Sequence, residues 1–215
     1  MNTEVAPTAI VYPGTVLGEG CRILDYAVVG KQPTLGPRST ARRGELPPLE
    51  LGAGTIVSTG AIVFAGTVIG ERGIVGDQAC VRERCTIGDD VVVGRGTLVE
   101  NDTTVGSLTK IQADAYVTAY TTVEEGVFIA PRVITTNDNF MGRTEQRHAL
   151  RKGPTIRRRA RVGAGAVLCP AVEIGEEAFV GAGAVVVRDV PPGVVVVGNP
   201  ARVLREVPAE EVSAD

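Results

Sequence analysis

Read in steps of six, the chain places an aliphatic residue at nearly every step. From Leu51 the series runs through Val57, Val63, Ile69, Val75, Val81 and Ile87, and it continues unbroken to Ile129. A second series runs from Ile156 through Val162, Leu168, Ile174 and Val180 to Val186, and an earlier one joins Val11, Leu17, Ile23, Val29 and Leu35. Val, Ile and Leu make up about a quarter of the chain, so this register is not a product of composition. Gly follows the aliphatic residue in twelve hexads, as at Gly18, Gly52, Gly70 and Gly163. Four residues after the aliphatic residue stands a small or β-branched side chain, such as Thr55, Ala61, Cys85, Thr97 or Ala166; Pro33 is the exception. A helix would repeat at 3.6 residues and a plain strand at two, so a period of six predicts a strand and a turn per hexad. Three hexads close one turn of a triangular prism. The aliphatic side chain points inward, the glycine relieves the turn, and the small residue fills a tight inner position. About eight coils are expected, in a prism on the order of 40 Å long at a strand spacing of roughly 4.8 Å.

Composition agrees with thin walls of strand. Among 215 residues there are 34 Val and 27 Gly, no Trp, and only 4% aromatic residues. No stretch reaches the ~18 consecutive apolar residues of a membrane span. No basic-then-apolar start reads as a signal peptide, which predicts a cytoplasmic protein. A net charge of −3 argues against general nucleic-acid binding. The four cysteines, at 21, 80, 85 and 169, form no CxxC, and with a single histidine no metal-ligand set assembles. They are expected to be free thiols used as small apolar residues.

The repeat breaks at about 36–50 and at about 136–154. Function in solenoids concentrates where the repeat is interrupted. The second break, TNDNFMGRTEQRHALRKGP, is long and polar and is expected to leave the prism as a loop. The expected organisation is a β-helix domain over 1–198 with these two insertions, then a tail over 199–215 that includes a short helix from Pro200 to about Glu206. Between Arg143 and Arg161 eight basic residues face one acid, Glu145. This segment reads either as solvated surface or as a patch for phosphate groups, which match the arginine fork.

The hexad pattern resembles the hexapeptide-repeat proteins, which implies an all-β fold, a left-handed parallel β-helix. The stretches KIQADAYV, TTVEEGVFIAPRVITTND, RKGPTI and VGAGAVLCPAVEIGEEAFVGAGAVVVRDVP, with the terminal GNPAR, resemble the acyltransferases of that group that act on nucleotide-linked 3-amino sugars. The resemblance implies an acyl-CoA-dependent N-acyltransferase, a homotrimer, with acetyl-CoA lying in the groove between neighbouring prisms. In that family a substrate-aligning Asn follows the KIQ-like stretch. Here the position is Asp114, which could hold an ammonium or take its proton, or could simply stabilise its own turn. Asn137 matches an Asn of the family's TN stretch and is carried over as a substrate contact beside Asp138, or it starts the loop's turn; Gln112 and Glu124 belong to the same cleft or to ordinary solvated turns. The pairs Gly163–Ala164 and Gly181–Ala182 lie one coil apart and would let a pantetheine arm approach exposed backbone, while Arg188 and Arg202 would meet phosphates or adenine. The glycines also serve the turns of the repeat. His148, the one histidine, stands in the second loop; it reads as a surface residue or as the general base of an O-acyltransferase. A non-catalytic scaffold is the third reading, against which the long polar loop and the GNPAR ending speak.

Overall fold

A computed structural model describes residues 2–212. Short parallel strands, mostly of two residues, form three sheets of eleven, nine and eight strands. These are the first, second and third walls of a prism, visited in that order by each coil. Strands in register lie 18 residues apart, as with Ile74 beside Val92 and Leu98 beside Tyr116. The hexad residues fill the interior: Val57, Val63, Val99, Ile111, Ile129 and Leu168 are all fully buried. The small positions are buried as well, from Thr55 and Ala61 to Ala166 and Ala184. Threonines there keep their hydroxyls satisfied by donating to backbone carbonyls of the next coil, as Thr97 does to Gln112 O at 2.9 Å.

Four details depart from the expected pattern. The coil count of eight falls short, because the first wall begins earlier, at Glu4–Val5, and gains Val194–Val197 and Arg202–Glu206 after the last hexad. The expected helix from Pro200 is instead the strand Arg202–Glu206, antiparallel to Val194–Val197. The edge of Val194–Val197, unpaired by any further coil, is there to receive it. A 3-10 turn follows at Ala209–Glu211, and the last three residues of the expected tail lie outside the described ones. Leu35 fits the six-step series but lies in the first insertion, which begins after Val28–Lys31 and not at 36. Thr135 takes an inward position where the series lacks an aliphatic residue; it is fully buried, its hydroxyl donating to Tyr116 O and accepting from Thr118 N–H.

Both insertions leave from the same corner, between the second and third walls. Val28 pairs with Ile62, 34 residues on instead of 18, an excess of 16. Thr122 pairs with Thr155, an excess of 15. Four strands of the second wall separate the two exits. Among the described residues no helix is long and apolar enough to cross a membrane.

Candidate functional site

The first corner, between the first and second walls, keeps the repeat throughout. Gln112 and Asp114 stand in one of its turns, and Gly163–Ala164 and Gly181–Ala182 stand in later turns of the same corner. Backbone bonds tie the turns in sequence: Arg132 N–H to Ala113 O, Gly165 N–H to Pro131 O, Gly183 N–H to Ala164 O. At Gly163 a Cβ would lie 2.5 Å from Ala182 N, so the approach of consecutive coils itself demands glycine. The corner continues into the GNPAR ending, where Val185 N–H donates to Gly198 O. Arg188 and Arg202 line one shared pocket of about 160 Å³ at this end of the prism. Asp114 adopts φ 59°, a turn conformation that Asp tolerates, and its carboxylate meets the Arg95 guanidinium at 3.2 Å.

The second corner is built differently. The second insertion begins at Asn137 and Asp138. Asp138 accepts hydrogen bonds from Phe140 N–H (2.8 Å) and Gly142 N–H (3.0 Å), and Arg147 approaches it at 3.5 Å. Burial would raise its pKa, but these donors outweigh that and hold its carboxyl below the usual range. Both its oxygens thus shape the loop. Asn137 donates to Ala119 O at 3.2 Å and receives Lys152 N–H on its carbonyl, closing the loop at its base. The loop carries a one-turn helix, Arg147–Leu150. His148 lies on it, with Nδ1 3.3 Å from an Arg151 nitrogen and Nε2 3.7 Å from Glu145.

The first insertion folds along the same corner. Gln32 pins its two ends, its side chain donating to Leu46 O at 2.9 Å and accepting from Leu46 N–H at 3.1 Å. The two insertions and the coils between them enclose a pocket of about 260 Å³, to which Arg42, Arg82, Arg84, Asn101, Asn137 and Arg151 contribute. Beside it opens a cleft of about 560 Å³ lined by Thr40, Arg42, Tyr120, His148 and Arg151. His148 and Asn137 are therefore brought to one site. Gln112 and Asp114 belong to the first corner and line neither space.

Sequence reading missed Arg82, Arg84 and Asn101, because their hexads look regular. The signal was the 18-residue step: Arg84 stacks under Asp102, and Nε and Nη2 each bond that carboxylate at 2.9 Å. Beside them Glu83 is 1% exposed and holds Arg82 Nε at 2.9 Å. The basic segment, by contrast, disperses. Arg157 bridges Glu124 and Glu173 at 2.8 Å each, Arg158 approaches Glu176 at 3.5 Å, and Arg161 pairs with Glu211 at 2.9 Å. Arg157, Arg158 and Arg161 of the segment read either as solvated surface or as a phosphate patch are thus engaged in separate ion pairs. All four cysteines are free, and burial pushes the Cys85 thiol up to about 12. Among the described residues no cluster of His, Cys, Asp and Glu could hold a metal.

A three-walled parallel coil with period 18 defines the class. Residues 153–188 match the family described as bacterial transferase hexapeptide (six repeats). A serine acetyltransferase of Buchnera aphidicola is 35% identical over 83 residues, 39% of this chain and 32% of that protein. A 2,3,4,5-tetrahydropyridine-2,6-dicarboxylate N-acetyltransferase of Clostridium perfringens is 52% identical over 46 residues, 21% of this chain and 20% of that one. The chain thus spans about a third or less of the length of these curated relatives. The solved UDP-N-acetylglucosamine acyltransferase of Campylobacter jejuni superposes with a TM-score of 0.58 at 18% identity, over 94% of this chain and 75% of that one, a likeness of fold.

Proposed function

We propose that the protein is an acyl-CoA-dependent N-acyltransferase that uses acetyl-CoA and a nucleotide-linked amino sugar, and that it works as a homotrimer. The observation that carries this reading is the uninterrupted first corner. Gly163–Ala164 and Gly181–Ala182 stand in turns of that corner one coil apart, with only small side chains, and Arg188 and Arg202 share a pocket at the same end of the prism. An extended pantetheine arm fits the column, and the two arginines fit its phosphates. The relatives named as acetyltransferases support the reaction class.

In this reading the acceptor amine attacks the thioester carbonyl. A C–N bond forms, the C–S bond breaks, and coenzyme A leaves as a thiolate that takes up a proton. An amine is a strong nucleophile once deprotonated, so alignment and oxyanion stabilisation carry most of the acceleration. Asp114, in the same column as the glycines, would receive the amine's proton, with Gln112 beside it. Asn137 and Asp138 contribute from the second corner of a neighbouring copy or through the acceptor's length. Incubation with acetyl-CoA and a panel of nucleotide-linked amino sugars tests the proposal, with free thiol release and product mass as readouts. An acetamide product is expected from at least one sugar; thiol release only with hydroxyl acceptors would overturn it. Asp114→Ala is expected to reduce turnover about 10²-fold, roughly 2.7 kcal/mol.

One observation favours a second reading, O-acylation. His148 lines the 560 Å³ cleft with Tyr120 and Arg151, where an alcohol acceptor would find a base.

A further inference from the structure

The arginine pocket at the second corner has a composition that the coil does not require. Four guanidinium groups line it, from Arg42, Arg82, Arg84 and Arg151, and no acidic side chain does. The acids stand behind them. Glu83 holds Arg82 Nε at 2.9 Å, Glu100 approaches Arg82 Nη1 at 3.5 Å, and Asp102 takes the Arg84 fork. Four arginines against three carboxylates leave one positive charge in excess. Two donors, Arg84 Nη1 and Arg151 Nε, are buried without a hydrogen-bond partner. Buried donors are almost always paired, and leaving one unpaired costs about 1–3 kcal/mol, more for a charged group. Ser39, Thr40, Asn101, Tyr120 and Asn137 add neutral polar groups to the lining. At about 260 Å³ the pocket takes one compact group, not a whole ligand. The adjoining cleft with His148 shares Thr40, Arg42, Tyr120 and Arg151 with it, so the remainder of a ligand anchored here would extend past His148.

We propose that this pocket is a phosphoryl-anion anchor, closed by Arg42 of the first insertion and Arg151 of the second, and that it holds a phosphate group of the acceptor. The phosphoryl chemistry stands on the pocket itself; that the phosphate belongs to the acceptor rests on the function proposed above. Arg42 then gives the first insertion a purpose: it makes acceptor choice depend on a segment outside the repeat. Arg84 and Arg82 are fixed by carboxylates beforehand, so binding orders few side chains.

The test titrates the full-length protein with inorganic pyrophosphate, with malonate as a dicarboxylate control and with coenzyme A. Arg42→Gln and Arg151→Gln are chosen because neither arginine lies in the buried Glu83 network, and melting temperature verifies their folding. Pyrophosphate is expected to bind the wild-type protein, more weakly as salt rises, and at least tenfold more weakly in each variant, with coenzyme A affinity unchanged. Equal pyrophosphate affinity in wild type and both variants would overturn the anchor, as would tighter binding of malonate than of pyrophosphate. Loss of coenzyme A binding in the variants would overturn the assignment to the acceptor and give the pocket to the cofactor. If pyrophosphate binding needs both arginines but no nucleotide sugar is acylated, the anchor stands and the acceptor reading alone falls.

Discussion

The first and second corners are made by the same six-residue rule and end up as opposites. At the first, no insertion interrupts the turns, and the later ones, 163–166 and 181–184, carry only Gly and Ala. At the second, both insertions emerge, and the turns between them carry Arg82, Glu83, Arg84, Asn101 and Asp102. A corner that keeps the repeat offers a long uniform surface suited to an extended ligand. A corner that interrupts it can place long charged side chains at single defined points. In the proposed function the scaffold thus separates two recognition tasks onto two edges.

The largest effect that would break the second corner is removal of Glu83. It is 1% exposed and faces two arginines, so Glu83→Ala leaves cations without their counter-charge. A loss of about 3–5 kcal/mol is expected, read as a lower denaturant midpoint. At the first corner the comparable break is steric. Gly163→Val would drive a Cβ against Ala182 N and is expected to cost roughly 1–3 kcal/mol, with acetyl-CoA affinity falling as well. The reverse ranking would mean that packing of the thin corner, and not charge at the thick one, dominates stability.

His148→Ala sharpens the chemical side of the comparison. If the amine reading holds, turnover stays within about tenfold, because no general base worth 10²–10⁴ is lost. A thousandfold loss at unchanged acetyl-CoA affinity would move the chemistry to the second corner and to O-acylation.

Acid should also weaken the second corner. Burial alone would raise the Asp102 pKa, but hydrogen bonds from Arg84 and Asn101 and the nearby charges prevail and hold it below its ordinary value. A carboxylate depressed in the folded state contributes stability that is present above its unfolded value, about 3.9, and lost as pH falls through the folded one. The melting temperature is therefore expected to fall below about pH 4, and more shallowly in Asp102→Asn. The smallest effect belongs to Arg157→Gln. Its two ion pairs are 41% exposed on the arginine side, so only a slight fall in denaturant midpoint is expected, shrinking as salt is added.

The coil was legible in the sequence because its rule is local and repeats many times; an error at one hexad leaves the others standing. Leu35 shows the limit. It satisfied the step by coincidence, and only the pairing of Val28 with Ile62 reveals that the chain had already left the prism. Thr135 shows the converse, a polar residue admitted inside because the neighbouring coil accepts and supplies its hydrogen bonds. The arginine pocket was the least legible part. Its members come from positions 42, 82, 84 and 151, and no linear spacing joins the two insertions to the turns between them. The 18-residue step could have paired Arg84 with Asp102. That both breaks open onto one edge follows from which wall each one leaves, a count that needs the coil boundaries to the residue.

The antiparallel strand Arg202–Glu206 has a consequence for how the molecule ends. A parallel coil is a template whose last rung could accept another rung from a second molecule, and so on into a filament. Here the final strand runs against the direction of all the others in its wall, and a register shift between Val195 and Val196 bends the pair. An incoming coil would meet reversed polarity and a wholly exposed edge bearing Arg202, Arg205 and Glu206. This strand therefore closes the first wall at this end of the coil against end-to-end stacking.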